Sequence, residues 1–176
     1  NLFVRLPCAY YCIKNLNLSD FKREVFMKKI AMIYSSIHHN NTETLVKNVK
    51  GADLYKINEI NCIDLSAYDL VGFASGIYQG QFHKNIVHFI NQHAKELNHI
   101  FLVYTSGSGM KRYGKKFQEQ LEKLGLNIVD IFSCKGFDPY GAWKLVGGIA
   151  KKHPNQKDLE QFKRFIEHLQ VSSLSF

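Results

Sequence analysis

A chain of 176 residues, 45% hydrophobic and 22% charged, has the composition of an ordinary globular protein and the length for one domain with a sizeable core. Its net charge of +8 is spread along the chain with no RNA- or DNA-binding motif beside it, so the reading is a lysine-rich solvated surface and no nucleic-acid partner. No apolar run reaches the roughly 18 residues that a membrane span needs.

Residues 1–26 read as a poor secretory signal, because Arg5 and Lys14 interrupt any apolar centre. Met27-Lys28-Lys29-Ile30 looks like a natural start into a strand, so residues 1–26 are expected to be an N-terminal extension outside the core fold. Within it, Ser19 could cap a short helix with Phe21 and Val25 on one face. Residues 27–176 are expected to form a single domain.

Ile30–Tyr34 is a continuous apolar run, as expected of a strand buried on both faces. A helix is predicted over Thr42–Lys50 and a short strand over Ala52–Ile57. Tyr68–Ser75 is a third strand, followed by a helix over His83–Leu97 with Ile86, Val87, Phe89 and Ile90 inward. Ile100–Tyr104 is a fourth strand, Lys111–Leu124 a helix, and Asn127–Ser133 a fifth strand. Asn155–Leu169 closes the chain as a helix with Leu159, Phe162, Phe165, Ile166 and Leu169 at helical spacing. This alternation predicts an α/β fold, a mostly parallel sheet with helices on both faces, and its five strands fit the doubly wound order 2-1-3-4-5. In such sheets a ligand sits beyond the carboxyl ends of the strands, where the strand order reverses.

The loops after strands one, three and four should converge there. The first is Ser35-Ser36-Ile37-His38-His39-Asn40-Asn41-Thr42. It opens a helix, whose free N–H groups suit a phosphate without any lysine. Asn41 or Thr42 also suits an ordinary N-cap. The loop lacks both the P-loop pattern and a dinucleotide glycine triplet. The second runs Ser75-Gly76-Ile77-Tyr78-Gln79-Gly80-Gln81-Phe82-His83. Its glycines let backbone approach a flat ring, and Tyr78 could stack on that ring. The third, Thr105-Ser106-Gly107-Ser108-Gly109-Met110, exposes N–H donors with little side-chain bulk. Either of the last two could equally be a plain turn.

His83, His88 and His93 recur every five residues, which leaves neighbours roughly 140° apart on a helix. That spacing does not suit metal ligation, and no metal is expected. His38 and His39 lie in the first loop and could touch a ligand. No two of Cys8, Cys12, Cys62 and Cys134 have C-x-x-C spacing. Cys62 and Cys134 read as buried thiols in a reducing cytoplasm. The run Gly136-Phe137-Asp138-Pro139-Tyr140-Gly141-Ala142-Trp143 is a turn whose aromatics either plug the sheet edge, or wall the site or form a docking surface for a redox partner. No long inserted loop that could enclose a substrate is evident.

At YSSIHHNNT (34–42), ASGIYQGQFHKNI (74–86), VYTSGSG (103–109) and SCKGFDPYGAWKLVGGIAKKHPNQKDL (133–159) the chain resembles the flavodoxin family. It is most similar to short-chain bacterial members such as the flavodoxin-type protoporphyrinogen oxidase. The resemblance implies the flavodoxin-like fold and FMN, with the phosphate in Ser36, Ile37, His38, His39, Asn40, Asn41 and Thr42. It implies that the isoalloxazine lies between Ser75, Gly76, Ile77, Tyr78 and Thr105, Ser106, Gly107, Ser108, Gly109. Where the family's phosphate loop has glycine, this chain has Asn40, the next most tolerant residue for positive φ. The family's acidic carriers dock on basic partners; this basic chain departs from them.

The function expected is electron transfer through non-covalently bound FMN, to a redox partner protein or a small-molecule acceptor, by a monomer or homodimer. A backbone carbonyl near Gly76 could turn toward flavin N5, and no side chain is assigned as acid or base. The alternatives are an FMN-dependent oxidoreductase, of the quinone reductase or protoporphyrinogen oxidase kind, and a flavodoxin-fold binding module without FMN.

Overall fold

The computed structural model describes residues 27–171. The extension over residues 1–26, with the short helix expected in it, and the last five residues lie outside that range. Six strands form one sheet: β1 Ile30–Ser35, β2 Ala52–Lys56, β3 Leu70–Tyr78, β4 Gln81–Phe82, β5 His99–Ser106 and β6 Asn127–Lys135. Five are parallel in the order β2-β1-β3-β5-β6, and β4 pairs antiparallel with the end of β3. Apart from the small added β4, this is the predicted order. Four helices follow β1, β4, β5 and β6 in turn: α1 Asn41–Lys47, α2 Lys84–His93, α3 Arg112–Glu122 and α4 Gln156–Val171.

The period of two along each strand divides the core. Ala31 and Ile33 of β1, Phe73 of β3 and Leu102 of β5 face Ile86, Phe89 and Ile90 of α2 and Phe117 and Leu121 of α3. Ile30, Met32, Tyr34, Ala74, Phe101 and Val103 face Leu45 and Val46 of α1 and Phe162, Ile166 and Leu169 of α4. Because both faces are covered, β1 has no exposed residue. Each large side chain buried in this way contributes about 1.5–3 kcal/mol. Gly72 is needed on the second face, since a Cβ there would lie 2.4 Å from Phe101 Cζ.

The predicted ends shift for physical reasons. β3 runs three residues past Ser75, because Ile77 and Tyr78 pair with Phe82 and Gln81. The hairpin turns on Gln79 and Gly80, at φ 51° and 80°, the left-handed pair that a two-residue connection favours. The stretch read as a loop is therefore largely strand. β5 likewise continues through Thr105 and Ser106. The register then brings Ser35 beside Ser75, Gly76 beside Thr105, and Ser106 beside Lys135. This puts the carboxyl ends of four strands on one rim. Cys134 is buried but Cys62 is exposed, against the expectation for the second. It sits in the irregular connection between β2 and β3, outside the sheet that covers Cys134.

Candidate functional site

The strand order reverses between β1 and β3: β2 lies on one side of β1, while β5 and β6 follow β3 on the other. A cleft of about 340 Å³ opens at the carboxyl ends there, lined by His38, His39, Asn41, Thr42, Gly76, Ile77, Tyr78, Gln79, Thr105, Ser106, Gly107, Gly136, Phe137, Asp138 and Tyr140. That size suits a small molecule. All three loops singled out in the sequence reach it.

His39 and Asn40 take φ 56° and 51°, so Asn40 does hold the left-handed position that glycine would ordinarily fill. Neither Asn41 nor Thr42 caps α1. Asn40 is the cap residue and makes no side-chain cap bond. Ser36 Oγ accepts from Glu43 N at 3.3 Å instead. Asn41 Nδ2 donates to Phe137 O at 2.8 Å, and Thr42 Oγ1 lies 3.1 Å from Thr105 Oγ1. These two side chains tie the first loop to the third loop and to the segment after β6.

Burial pushes the Tyr78 hydroxyl above its ordinary pKa, against the pull of the backbone N–H groups of Ile37 and His38. The Tyr78 ring thus folds back over the sheet: a Cβ on Gly76 would lie 3.0 Å from its hydroxyl. His38 meets this ring edge-on, with centroids 5.9 Å apart. The Gly76 carbonyl, expected to be free, accepts from Ser75 Oγ at 2.6 Å, and the same Oγ accepts from His83 N at 2.9 Å. His83 caps α2, its Nδ1 accepting from Asn85 N at 3.3 Å. Burial, with the adjacent Lys84 charge, holds its pKa below the usual histidine range.

In the third loop, Gly109 N donates to Ser106 O at 3.3 Å and to Ser106 Oγ at 3.0 Å. That N–H is therefore spent within the turn. Gly107 has no room for a side chain, since a Cβ would lie 2.6 Å from Asp138 Cβ and 3.0 Å from Ile149 Cδ1. The segment after β6 doubles back through an Asp138–Ile149 bridge, and Phe137 N donates to His153 O at 3.0 Å. His153 Nδ1 and Asn155 N both meet Asp158 Oδ2, at 2.6 and 2.8 Å. The His-Pro-Asn run thereby pins the segment to α4. Burial, aided by the Asp158 charge, pushes the neighbouring Cys134 thiol up to about 12.

Of the expected site residues, His38, His39, Asn41, Thr42, Gly76, Ile77, Tyr78, Thr105, Ser106 and Gly107 line the cleft; Ser36, Ile37, Asn40, Ser75, Ser108 and Gly109 do not. Gln79, Gly136, Phe137, Asp138 and Tyr140 were missed as lining residues. The aromatic run at 136–143 was the available signal. Of its two readings the structure shows the wall: His39 lies over Phe137 with ring centroids 4.8 Å apart, and Tyr140 Oη lies 3.2 Å from His38 Nδ1. An enclosing loop was not evident in the sequence, yet this segment supplies one side of the cleft. Among the described residues no group of three His, Cys, Asp or Glu could hold a metal ion. No described helix is long and apolar enough to cross a membrane.

The family model of the flavodoxin domain matches residues 31–137. The chain belongs to the flavodoxin domain family. This flavodoxin-domain chain is 36% identical over 146 residues to an uncharacterised protein of Methanocaldococcus jannaschii, covering 80% of this chain and 97% of that one. Its fold is similar to oxidised flavodoxin 1 of Bacillus cereus, with a TM-score of 0.59 and 16% identity over 84% of this chain and 99% of that one. It is also similar to a flavoprotein of Lactobacillus acidophilus NCFM in complex with FMN, with a TM-score of 0.50 and 17% identity over 60% of this chain and 93% of that one. The match ends at Phe137, so the segment that walls the cleft is mostly outside it.

Proposed function

We propose that the cleft holds FMN without a covalent bond and that the protein passes electrons through it. The observation that carries this reading is the cleft at the carboxyl ends of β1, β3 and β5, where the first loop opens α1 opposite Gly76 and Gly107. The start of α1 leaves main-chain N–H groups in the first loop, at the mouth of a cleft walled by Gly76, Gly107 and Gly136. A phosphate needs the same donors. His38, His39, Asn41 and Thr42 surround them, and no lysine or arginine lines the cleft. This donor set fits a phosphorylated flat ring, and a structural relative is complexed with FMN. Bound FMN supplies one- and two-electron chemistry; the protein's part is binding and tuning. Asp138 puts a carboxylate beside Gly107, where it would oppose negative charge.

The wall built after β6 favours a second reading, an FMN-dependent oxidoreductase acting on a small organic acceptor such as a quinone. Turnover separates the two, since a carrier alone reduces such acceptors slowly.

The test is the absorption spectrum of the purified protein with a fluorescence titration by FMN. A flavin spectrum and saturable quenching are expected. His38 is exposed, so His38→Glu should leave the fold intact and weaken FMN roughly tenfold, about 1.4 kcal/mol. A colourless protein that takes up no FMN overturns the proposal.

A further inference from the structure

We propose that the rim of the cleft is a docking surface for an acidic electron-transfer protein, an inference that rests on the FMN reading for the partner's role. The positive charge is less even in space than in sequence. Lys111 and Arg112 stand at the start of α3, just past the third loop, and Lys135 ends β6. Lys144, Lys151 and Lys152 lie in the segment that folds back toward Gly107. All six are exposed, and among the described residues none forms an ion pair. Lys135 is fixed at this rim: a Cβ on Gly109 would lie 3.1 Å from its Cγ. The acids nearby are already engaged. Glu43 pairs with Lys47, and Asp138 Oδ1 accepts from Tyr140 N at 3.0 Å. At the opposite end of the sheet the signs alternate, with Lys50, Asp53, Asp69, Lys95, Glu96, Glu122 and Lys123.

At the same end of the sheet as these cations lie exposed apolar side chains. Ile37, Met110, Tyr140 and Trp143 are 48%, 42%, 52% and 47% exposed. An apolar, aromatic centre within a charged rim is the make-up of a protein interface. The sign of the rim selects an acidic partner, speeds its approach and disfavours a basic one. A bilayer surface fits less well. The apolar groups come from three loops around a concave mouth, whereas a membrane-seated element offers one convex apolar face.

The test uses the full chain, with and without FMN, in calorimetric titrations. A plant-type [2Fe–2S] ferredoxin serves as the acidic probe and cytochrome c as the basic one. Salt-sensitive binding of the ferredoxin and none of cytochrome c is expected. Lys135→Glu/Lys144→Glu/Lys151→Glu should weaken ferredoxin binding roughly tenfold or more. Lys50→Glu/Lys95→Glu/Lys123→Glu makes the same change in net charge at the far end and should leave it within about twofold. If the rim triple variant does not fold, the single Lys144→Glu should still weaken binding about twofold. The proposal is overturned by no ferredoxin binding, by equal losses in the two triple variants, or by tighter binding to phosphatidylserine vesicles or a single-stranded oligonucleotide than to the ferredoxin. FMN uptake without ferredoxin binding would sink this surface alone; ferredoxin binding without FMN uptake would sink the cofactor alone.

Discussion

Thr42 Oγ1 lies 3.1 Å from Thr105 Oγ1, and both side chains are buried. One belongs to the first turn of α1 and the other to the end of β5, so the pair joins the first loop to the third across the end of β3. Thr105→Val keeps the shape but leaves the Thr42 hydroxyl buried without its partner. That should lower stability by about 1–3 kcal/mol. Thr42→Val/Thr105→Val removes both hydroxyls and should recover most of the loss. Urea unfolding of the four proteins measures this, and simple additivity of the two single losses would show that the pair is not coupled.

Gly107 is the residue against which the segment after β6 closes. Gly107→Ala puts a methyl 2.6 Å from Asp138 Cβ and should destabilise by about 1–3 kcal/mol by overpacking. It should also loosen Phe137 and Tyr140 at the cleft. Gly107→Ala/Asp138→Gly reopens the space and should regain part of the stability. If the single variant melts like the wild type, the segment does not close on the third loop.

His83 accepts the Asn85 N–H through Nδ1, which requires an unprotonated ring nitrogen. Burial lowers its folded pKa. The stabilisation from the neutral ring is therefore present above the unfolded value, about 6.5, and is lost as pH falls through the folded one. The wild type should lose about 0.5–1 kcal/mol at this cap on acidification to about pH 5. His83→Asn keeps a cap without a titrating group and should lose less over the same interval. Parallel urea midpoints for the two proteins would contradict the assignment.

Cys134 and Cys62 should differ in reactivity. In a Cys8→Ser/Cys12→Ser background the exposed Cys62 should react with a thiol reagent in the folded protein, and the buried Cys134 only after unfolding. The Cys134 thiol is raised to about 12 in the fold. Its contribution is intact below the unfolded thiol value, about 8.5, and declines as pH rises from there toward the folded value. Cys134→Ala should flatten that alkaline decline; rapid labelling of two thiols in the native protein would refute the burial.

The alternation of apolar runs and helical patterns by itself determined the parallel sheet, the helices on its two faces and the end of it at which the cleft opens. These follow from periodicity and from the handedness of crossovers, both of which are local properties. The same locality made Asn40 legible, because a left-handed residue is set by its own backbone. What stood in the three loops was legible as composition, but not what each group does there. Thr42 and Asn41 read as caps because a cap is a local bond. Their actual partners, Thr105 and the Phe137 carbonyl, lie 63 and 96 residues away. The extension of β3 into a hairpin, the return of the segment after β6, the edge-on contact of Tyr78 with His38, and the gathering of lysines at one rim belong to the tertiary structure alone. Each depends on a contact between residues remote in the chain, and periodicity carries no information about which remote residues meet.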